Sequence, residues 1–268
     1  MSTELRYVYA VCRPFDAPLQ AELVGVEGRP PRLLRHEDLT AVVGAVPEAD
    51  FAEGPLRAHL EDLDWLTATA RAHERVVAAL TTVTSPLPLR LATVFRDDSG
   101  VRSMMQEEQG RFRWALGRLA GRVEWGVKVY ADGAPEPRPE TRLSGPGAGT
   151  GSGRAYLQSR RARRDAQDGA RQRAEAFAER LHGDLARHAA AARVHPPQNP
   201  ALSRVPGVNI LNSAYLVDRS ASEDFVERVD RTKDEEPGMR VELTGPWAGY
   251  SFTMPSDEGP AGQEEAGR

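Results

Sequence analysis

The sequence predicts an α+β protein of two domains, the first a small α+β unit and the second a modified ferredoxin-like domain with a C-terminal tail. Three observations support this prediction. The chain has 268 residues, which suits two domains of roughly 150 residues each. Its apolar fraction of 40% and charged fraction of 28% allow two cores to form. Segments with strand and helix periodicity alternate along the chain, separated by Pro- and Gly-rich stretches.

The first domain is predicted to cover residues 1–121. Strict alternation and β-branched residues predict strands, and apolar residues three and four positions apart predict helices. In order, the predicted elements are strands at 5–12, around 33–34 and at 39–46, one long helix at about 55–82, a strand at 89–95, and a helix that follows a capping turn at 97–100.

The second domain is predicted to cover residues 122–255. Its predicted elements are a strand at 123–130, a long Ala-rich helix from 156, a short strand near 194, a strand at 208–217, a helix opened by a capping box at Ser220 and Glu223, and a strand at 239–243. The order β-α-β-β-α-β is that of a ferredoxin-like domain. Within it, residues 132–153 are predicted to be a flexible insertion, and residues 256–268 a disordered tail.

Composition and charge argue against several functional classes. The net charge of -4 and pI near 5.9 give no basic field that would attract nucleic acid. The only cysteine, Cys12, lies in an apolar run, so we expect a buried thiol, no disulfide framework and a cytoplasmic protein. No stretch approaches 18 apolar residues and the N-terminus lacks a signal-peptide pattern, so neither secretion nor membrane insertion is expected.

The sequence offers no convincing catalytic, cofactor or metal site. The glycine-rich residues 145–153 contain neither G-x-G-x-x-G nor a P-loop lysine, and a linker is the better interpretation. His73 and Glu74 resemble the start of a zinc-protease motif, but Val77 stands where the second histidine belongs. We therefore predict that His73 is a core or half-buried histidine paired with a neighbour. No enzyme activity, cofactor or metal is expected.

An arginine-rich stretch at residues 160–173 is the best argument for nucleic-acid binding. Asp165 and Asp168 interrupt it, and no aromatic platform is interleaved. A solvated helix face is the favoured interpretation, and no nucleic-acid partner is expected.

Residues 245–252 concentrate three aromatic side chains, Trp247, Tyr250 and Phe252. The segment contains no Asp, Glu, His, Cys or Lys, which points to packing or partner contact rather than catalysis. Two interpretations stay open: a strand that returns to its own sheet, or an edge that binds another chain.

Several segments together resemble the gas vesicle protein F/L family (GvpF/GvpL). They are residues 6–10 (RYVYA), 36–43 (HEDLTAVV), the helix with His73 and Glu74, 87–95 (LPLRLATVF), 124–130 (EWGVKVY), 155–157 (AYL), 211–219 (LNSAYLVDR) and 245–252 (GPWAGYSF). Two departures stand out. The family usually has Arg-Phe-Gly-Thr where this chain has Arg90-Leu91-Ala92-Thr93, and two prolines where it has Ala248-Gly249. The second departure predicts a looser turn.

The resemblance implies a non-enzymatic gas vesicle assembly factor or minor structural component. Such a protein would bind the small hydrophobic shell protein, limit its aggregation, and act with other accessory proteins, in the cytoplasm before assembly and at the gas vesicle afterwards. Strand addition is one way to bind the shell protein. The candidate partner-binding or family-motif residues are Leu89, Arg90, Thr93, Phe95, Trp125, Lys128, Tyr215, Pro246, Trp247, Tyr250 and Phe252. A ferredoxin-like RNA-binding module, a small-molecule enzyme or sensor, and self-association through open sheet edges remain as alternatives.

Overall fold

A computed structural model describes residues 4–131, 152–197, 206–233 and 235–254, without the side chains of 152–156 and 163. The described residues form two compact units. One runs to Glu124 and resumes at Pro246, and the other spans Trp125–Gly245. The predicted insertion at 132–153 and tail at 256–268 fall outside the described residues, except that Ser152 and Gly153 already belong to a helix.

The first unit contains an antiparallel sheet of five strands. They are β1 (Glu4–Cys12), β2 (Arg32–His36), β3 (Leu39–Pro47), β4 (Leu87–Pro88) and β5 (Val94–Phe95). β3 pairs with β2 on one side and β1 on the other, while β4 and β5 pair in turn with the second edge of β1. β1 is almost entirely buried, and its free thiol Cys12 is fully buried as predicted. Burial raises the pKa of this thiol to about 12.

Five helices complete the first unit: α1 (Glu48–Phe51), α2 (Glu53–His59), α3 (Leu63–Thr81), α4 (Asp98–Glu107) and α5 (Gln109–Leu119). The prediction of one long helix at 55–82 was wrong, because the helix is interrupted: α2 ends at His59 and α3 begins at Leu63. The Asp62 carboxylate accepts hydrogen bonds from the backbone N–H groups of Asp64 and Trp65 and starts a new helix. Asp97 caps α4 in the same way, as predicted.

The prediction of a continuous strand at 89–95 was wrong, because only Val94 and Phe95 form a strand and residues 89–93 form a bulge between β4 and β5. Leu89 N–H donates to the Tyr9 carbonyl and Val8 N–H donates to the Thr93 carbonyl, each at 2.9 Å, so both ends of the bulge stay on β1. Between them Ala92 adopts a φ of 60°. This left-handed conformation cannot continue a strand, which is why the pairing stops and restarts.

The second unit has the predicted ferredoxin-like element order. It contains β6 (Arg122–Ala131), α6 (Ser152–Arg187), β7 (Ala191–Val194), β8 (Val208–Asp218), α7 (Ser222–Arg231) and β9 (Met239–Trp247), with the strands in the order β7-β8-β6-β9. The predicted capping box was wrong. α7 begins at Ser222 after a 3-10 turn, and its N-cap is Ala221, whose side chain cannot cap.

The two halves of α6 differ in burial. Its C-terminal half packs its apolar face, with Ala174, Phe177, Leu181 and Leu185 all buried. Its N-terminal half is exposed from Leu157 to Asp168 wherever side chains are described. Among its described side chains, this helix of 36 residues is therefore anchored through its C-terminal half.

The aromatic segment at the end of the described chain belongs to the first unit, although the sequence prediction assigned it to the second domain. Ala248 joins the first unit's core cluster and Tyr250 packs against it. Long-range packing with residues far earlier in the chain, which no local pattern encodes, determines this placement. Within the part of the chain that is described, no helix is both long and apolar enough to cross a membrane.

Candidate functional site

A groove of about 440 Å³ opens on the first unit where three segments meet. One wall is the bulge after β4, the second is the α4–α5 pair, and the third is the chain that follows the aromatic segment. The lining residues are Leu87, Pro88, Leu89, Arg90, Thr93, Met104, Glu108, Arg111, Phe112, Thr253 and Met254. Three of the predicted site residues, Leu89, Arg90 and Thr93, are thus brought together.

The bulge is held by backbone hydrogen bonds and by the Thr93 hydroxyl, which leaves the side chains of Leu89 and Arg90 available to the groove. Ala92 N–H donates to the Tyr7 hydroxyl at 3.1 Å, and the Thr93 hydroxyl donates to the Arg90 carbonyl at 2.6 Å. Leu89 is half-buried on the groove wall and Arg90 is exposed. The groove therefore has a fixed apolar wall with one cation at its rim.

The opposite wall combines apolar and neutralised charged groups. Phe112 is fully buried beneath it, and the Arg111 guanidinium lies 4.9 Å from the centre of the Phe112 ring. Arg111 also forms an ion pair with Glu108 and donates to the Met254 sulfur at 3.4 Å. Since Arg90 forms no ion pair with any described residue, it is the groove's available positive charge. This arrangement suits an apolar chain that carries a carboxylate or carbonyl oxygen.

The aromatic segment next to this groove is fastened by two acidic side chains. The Tyr250 hydroxyl donates to Glu74 Oε2 at 2.7 Å. Ser251 donates to Glu124 through its backbone N–H at 2.8 Å and through its hydroxyl at 2.7 Å. Burial raises the pKa of the Glu74 carboxyl, and burial followed by the Glu74 contact raises the pKa of Tyr250.

His73 lies beside this contact and is 4% exposed. Its Nδ1 is 2.9 Å from the Tyr7 hydroxyl, which confirms the prediction of a core histidine paired with a neighbour. The ring centre is 5.6 Å from that of Tyr9 and 6.5 Å from that of Tyr250. Burial lowers the pKa of His73 to about 4, so the imidazole is neutral near pH 7.

The small residues at 248 and 249 have a packing role. A Cβ on Gly249 would lie 2.3 Å from Cδ2 of Leu119, so a side chain there requires the Leu119 side chain on α5 to shift. Ala248 is 4% exposed in the core. From the sequence we interpreted Ala248-Gly249 as a looser turn. In the structure, the small size of these two residues lets the segment approach α5 closely.

The remaining predicted site residues divide into buried and exposed groups. Phe252 is 4% exposed, while Trp247 is 41% exposed and Pro246 is also exposed. Of the three aromatics, Trp247 is therefore the one best placed for partner contact. Tyr250 and Phe252 lie beyond the end of β9, so they cannot extend a strand edge as the strand-addition hypothesis required.

Trp125 and Tyr215 pack the core of the second unit. Trp125 Nε1 donates to the Ser222 hydroxyl at 3.4 Å, and the Tyr215 hydroxyl lies 2.8 Å from His182 Nδ1. Lys128 is half-buried on β6, and Phe95 is half-buried on β5 of the first unit. For the two buried aromatics, packing explains the family motif without any partner.

Sequence reasoning missed most of the groove. It did not connect Phe112, in the helix predicted after the capping turn, with residues 87–93 or with Met254. It also considered Glu74 only as part of a failed metal motif. In the described ranges, no group of three or more His, Cys, Asp or Glu side chains could hold a metal ion. The available signals were the helix periodicity at Phe112 and the Met254 that follows the aromatic run.

The fold and the groove define a class of protein: a two-unit α+β protein whose second unit is ferredoxin-like and whose first unit carries an apolar cleft suited to binding a chain. The family model described as gas vesicle synthesis protein GvpL/GvpF matches residues 5–254. The protein belongs to this gas vesicle family, as the resemblance indicated.

Individual relatives agree with the family assignment. The chain is 58% identical to "Gas vesicle protein L" of Streptomyces sp. (strain CB03234), over all of both chains. It is 26% identical to "Gas vesicle protein F" of the same strain, over 92% of this chain and 98% of the relative. Similarity to the L relative is thus far greater than to the F relative, a distinction that motif reasoning alone could not make.

Solved structures confirm the fold. The crystal structure of the gas vesicle protein GvpF from Anabaena sp. PCC7120 matches with a TM-score of 0.64 at 16% identity, over 94% of this chain and 97% of that one. GvpF from Microcystis aeruginosa matches with a TM-score of 0.66 at 16% identity, over 94% of this chain and all of that one. At this identity the comparison supports the architecture and not the details of a site.

Proposed function

We propose that this protein is a non-enzymatic assembly factor of gas vesicles that holds an apolar segment of the shell protein in the groove of the first unit. By covering that segment it limits aggregation of the shell protein until the vesicle wall takes it up. The observation that carries the proposal is the groove itself, which joins family-motif residues to an apolar wall. Membership in a gas vesicle synthesis family identifies the shell protein as the occupant to test.

The chemistry of the groove fits a transient complex. Burial of a Leu- or Val-sized side chain stabilises a complex by about 1.5–3 kcal/mol, and the groove is small enough to admit only a few such side chains. Ordering the bound segment opposes part of this gain. The expected association is strong enough to compete with aggregation and weak enough to release the shell protein.

The charge at the rim adds orientation. Arg90 is exposed and forms no ion pair with any described residue, so it can meet a carboxylate or a chain carbonyl of the bound segment. Trp247, exposed at 41%, is a second candidate contact for the shell protein or for another accessory protein. We place the protein in the cytoplasm before assembly and at the gas vesicle during it.

Co-expression with the shell protein tests the groove. We expect the wild-type protein to keep the shell protein in the soluble fraction and to support vesicle formation, and Met254→Asp to lose most of both effects, because a carboxylate in the groove opposes apolar burial. The matched control is Val83→Asp, which changes a similarly exposed apolar side chain of the same unit outside the groove (42% and 45% exposed).

Folding of each variant is checked by its thermal unfolding midpoint. A folded Met254→Asp variant that retains full shell solubility and vesicle yield contradicts the proposed groove. Equal losses with Val83→Asp contradict it as well, since they indicate a general surface effect.

A further inference from the structure

Two exposed leucines lie on surfaces of opposite charge. Leu63 and Leu157 are 77% and 63% exposed, the two largest values among the exposed large apolar side chains of the described residues. An isolated exposed leucine is ordinary. Here, however, acidic side chains surround the first and basic side chains follow the second, which is the pattern expected of two complementary contact surfaces.

The first surface, which we call the acidic corner, lies where α2 ends and α3 begins. It consists of Leu60, Glu61, Asp62, Leu63 and Asp64, all exposed. None of its three carboxylates forms an ion pair with another described residue. The backbone is fixed because Asp62 accepts from the N–H of Asp64 at 2.9 Å. The corner therefore presents two leucines, the carboxylates of Glu61 and Asp64, which pair with no described residue, and the capping carboxylate of Asp62 in a defined arrangement.

The second surface, the basic helix face, lies on the exposed half of α6. It consists of Leu157, Arg160, Arg161 and Arg164, whose spacing of three, four and seven residues places them on one side of the helix. None of the three guanidinium groups pairs with a described carboxylate. Arg171, further along the helix, does pair with Glu175 at 2.8 Å. Among the residues that the structure describes, the basic helix face is thus a charged surface without a neutralising carboxylate, and it has an apolar residue at one end.

We propose that the acidic corner of one copy of this protein binds the basic helix face of a second copy. Each surface supplies what the other lacks, since leucines meet a leucine and free carboxylates meet free guanidinium groups. The two surfaces differ, so the contact is head-to-tail and leaves a free surface at each end of a dimer. Association therefore continues into short chains or closes into a ring. The contact is weak and salt-sensitive, because its ion pairs are exposed.

Binding of a second copy accounts for both charged surfaces, whereas binding of nucleic acid accounts for only one of them. Binding of phosphates accounts for the arginines but leaves the acidic corner without a role. Asp165 and Asp168 also interrupt the positive stretch and weaken its attraction for a continuous phosphate backbone. The net charge of -4 opposes nucleic-acid binding further.

Sedimentation velocity of the full chain, over about a hundredfold range of concentration, tests the proposal. At about 0.05 M salt the average mass is expected to rise with concentration, and at about 0.5 M salt the association is expected to weaken at least tenfold. A wild-type protein that stays monomeric throughout at low salt overturns the proposal. Association that disappears after nuclease treatment also overturns it and assigns the basic helix face to nucleic acid.

Charge reversal separates the two surfaces. One variant carries Arg160→Glu, Arg161→Glu and Arg164→Glu, and the other carries Glu61→Arg and Asp64→Arg while keeping the capping Asp62. Each variant alone is expected to stay monomeric, because its two surfaces now have the same sign. An equimolar mixture is expected to associate again, because each reversed surface meets an opposite one.

The control variant carries Arg13→Glu, Arg96→Glu and Arg102→Glu, three exposed arginines that lie outside α2, α3 and α6, and is expected to associate like the wild type. Restoration in the mixture supports the proposal only when both variants are folded, because misfolded chains of opposite charge also associate. A mixture that stays monomeric, with both variants folded by circular dichroism and thermal unfolding, overturns the proposal.

Discussion

The bulge at residues 89–93 and the aromatic segment at residues 246–252 both carry family-motif residues on the first unit, but they use them in opposite ways. The bulge is fixed through its backbone and presents Leu89 and Arg90 outward. The aromatic segment is fixed through its side chains, with Phe252 buried and Tyr250 bonded to Glu74. In these two segments, the residues available to a partner are those whose own side chains make no anchoring contact, namely Leu89 and Arg90 in the bulge and Trp247 in the aromatic segment.

The largest expected effect on stability comes from removing the aromatic side chain that anchors residues 246–252 in the core. Phe252→Ala removes a side chain that is 4% exposed, and we expect it to lower the free energy of unfolding by about 3–5 kcal/mol. Trp247→Ala, at 41% exposure, is the control and should cost less than about 1 kcal/mol. Urea unfolding of both variants measures the difference. Similar small losses for the two would show that the segment does not belong to the first unit's core.

An effect of intermediate size is expected at His73, which lies between the two regions. Its Nδ1 is hydrogen-bonded to the Tyr7 hydroxyl, which also accepts from Ala92 N–H of the bulge, and its ring packs near Tyr250 of the aromatic segment. The pKa of His73 falls from 6.5 to about 4 on folding, so the unfolded chain binds more protons between these pH values. Stability therefore falls as the pH drops from about 6.5 to about 4, by on the order of 3 kcal/mol in total. His73→Gln should remove this part of the pH dependence.

Unfolding free energies of the wild type and of His73→Gln, measured at several pH values across that window, give the comparison. The raised pKa of Glu74 acts in the opposite direction and is common to both proteins, so it largely cancels in the difference. Parallel pH profiles for the two proteins would show that His73 is not buried as a neutral group.

The smallest expected effect sharpens the description of the bulge. Ala92 adopts a φ of 60° at the position where the family usually has Gly. Relief of left-handed strain outweighs the extra backbone entropy of Gly in the unfolded chain, so Ala92→Gly should stabilise the protein by up to about 1 kcal/mol. Ala92→Val is the matched opposite and should destabilise it. Thermal unfolding midpoints that fall with Gly would contradict a left-handed residue here.

Local patterns predicted much of the fold. Alternation located β1, β3, β6 and β8, and the order of the later elements indicated the ferredoxin-like unit. The break before Asp62 was missed because helical spacing of apolar residues continues across it, although the aspartate is a favoured N-cap. The bulge was missed because one alanine in a left-handed conformation leaves no trace in hydrophobic periodicity.

The candidate site was harder to predict because it depends on contacts between distant residues. Tyr250 and Glu74 are 176 residues apart, and Ser251 and Glu124 are 127 apart. Sequence identified the residues of the bulge as a motif, yet the other two groove walls come from α4–α5 and from Met254. Only the folded chain brings these three segments to one place.

The return of the chain to its first unit has a consequence for biosynthesis. Pro246 and the residues after it leave the ribosome after the 121 residues of Trp125–Gly245 have been made, and only then can Ala248 and Tyr250 pack with the core cluster that contains β1. At about 5–20 residues per second, this interval lasts roughly 6–24 s. The nascent first unit therefore waits with an incomplete core while the later unit is synthesised, and translation sets the order in which the two units mature.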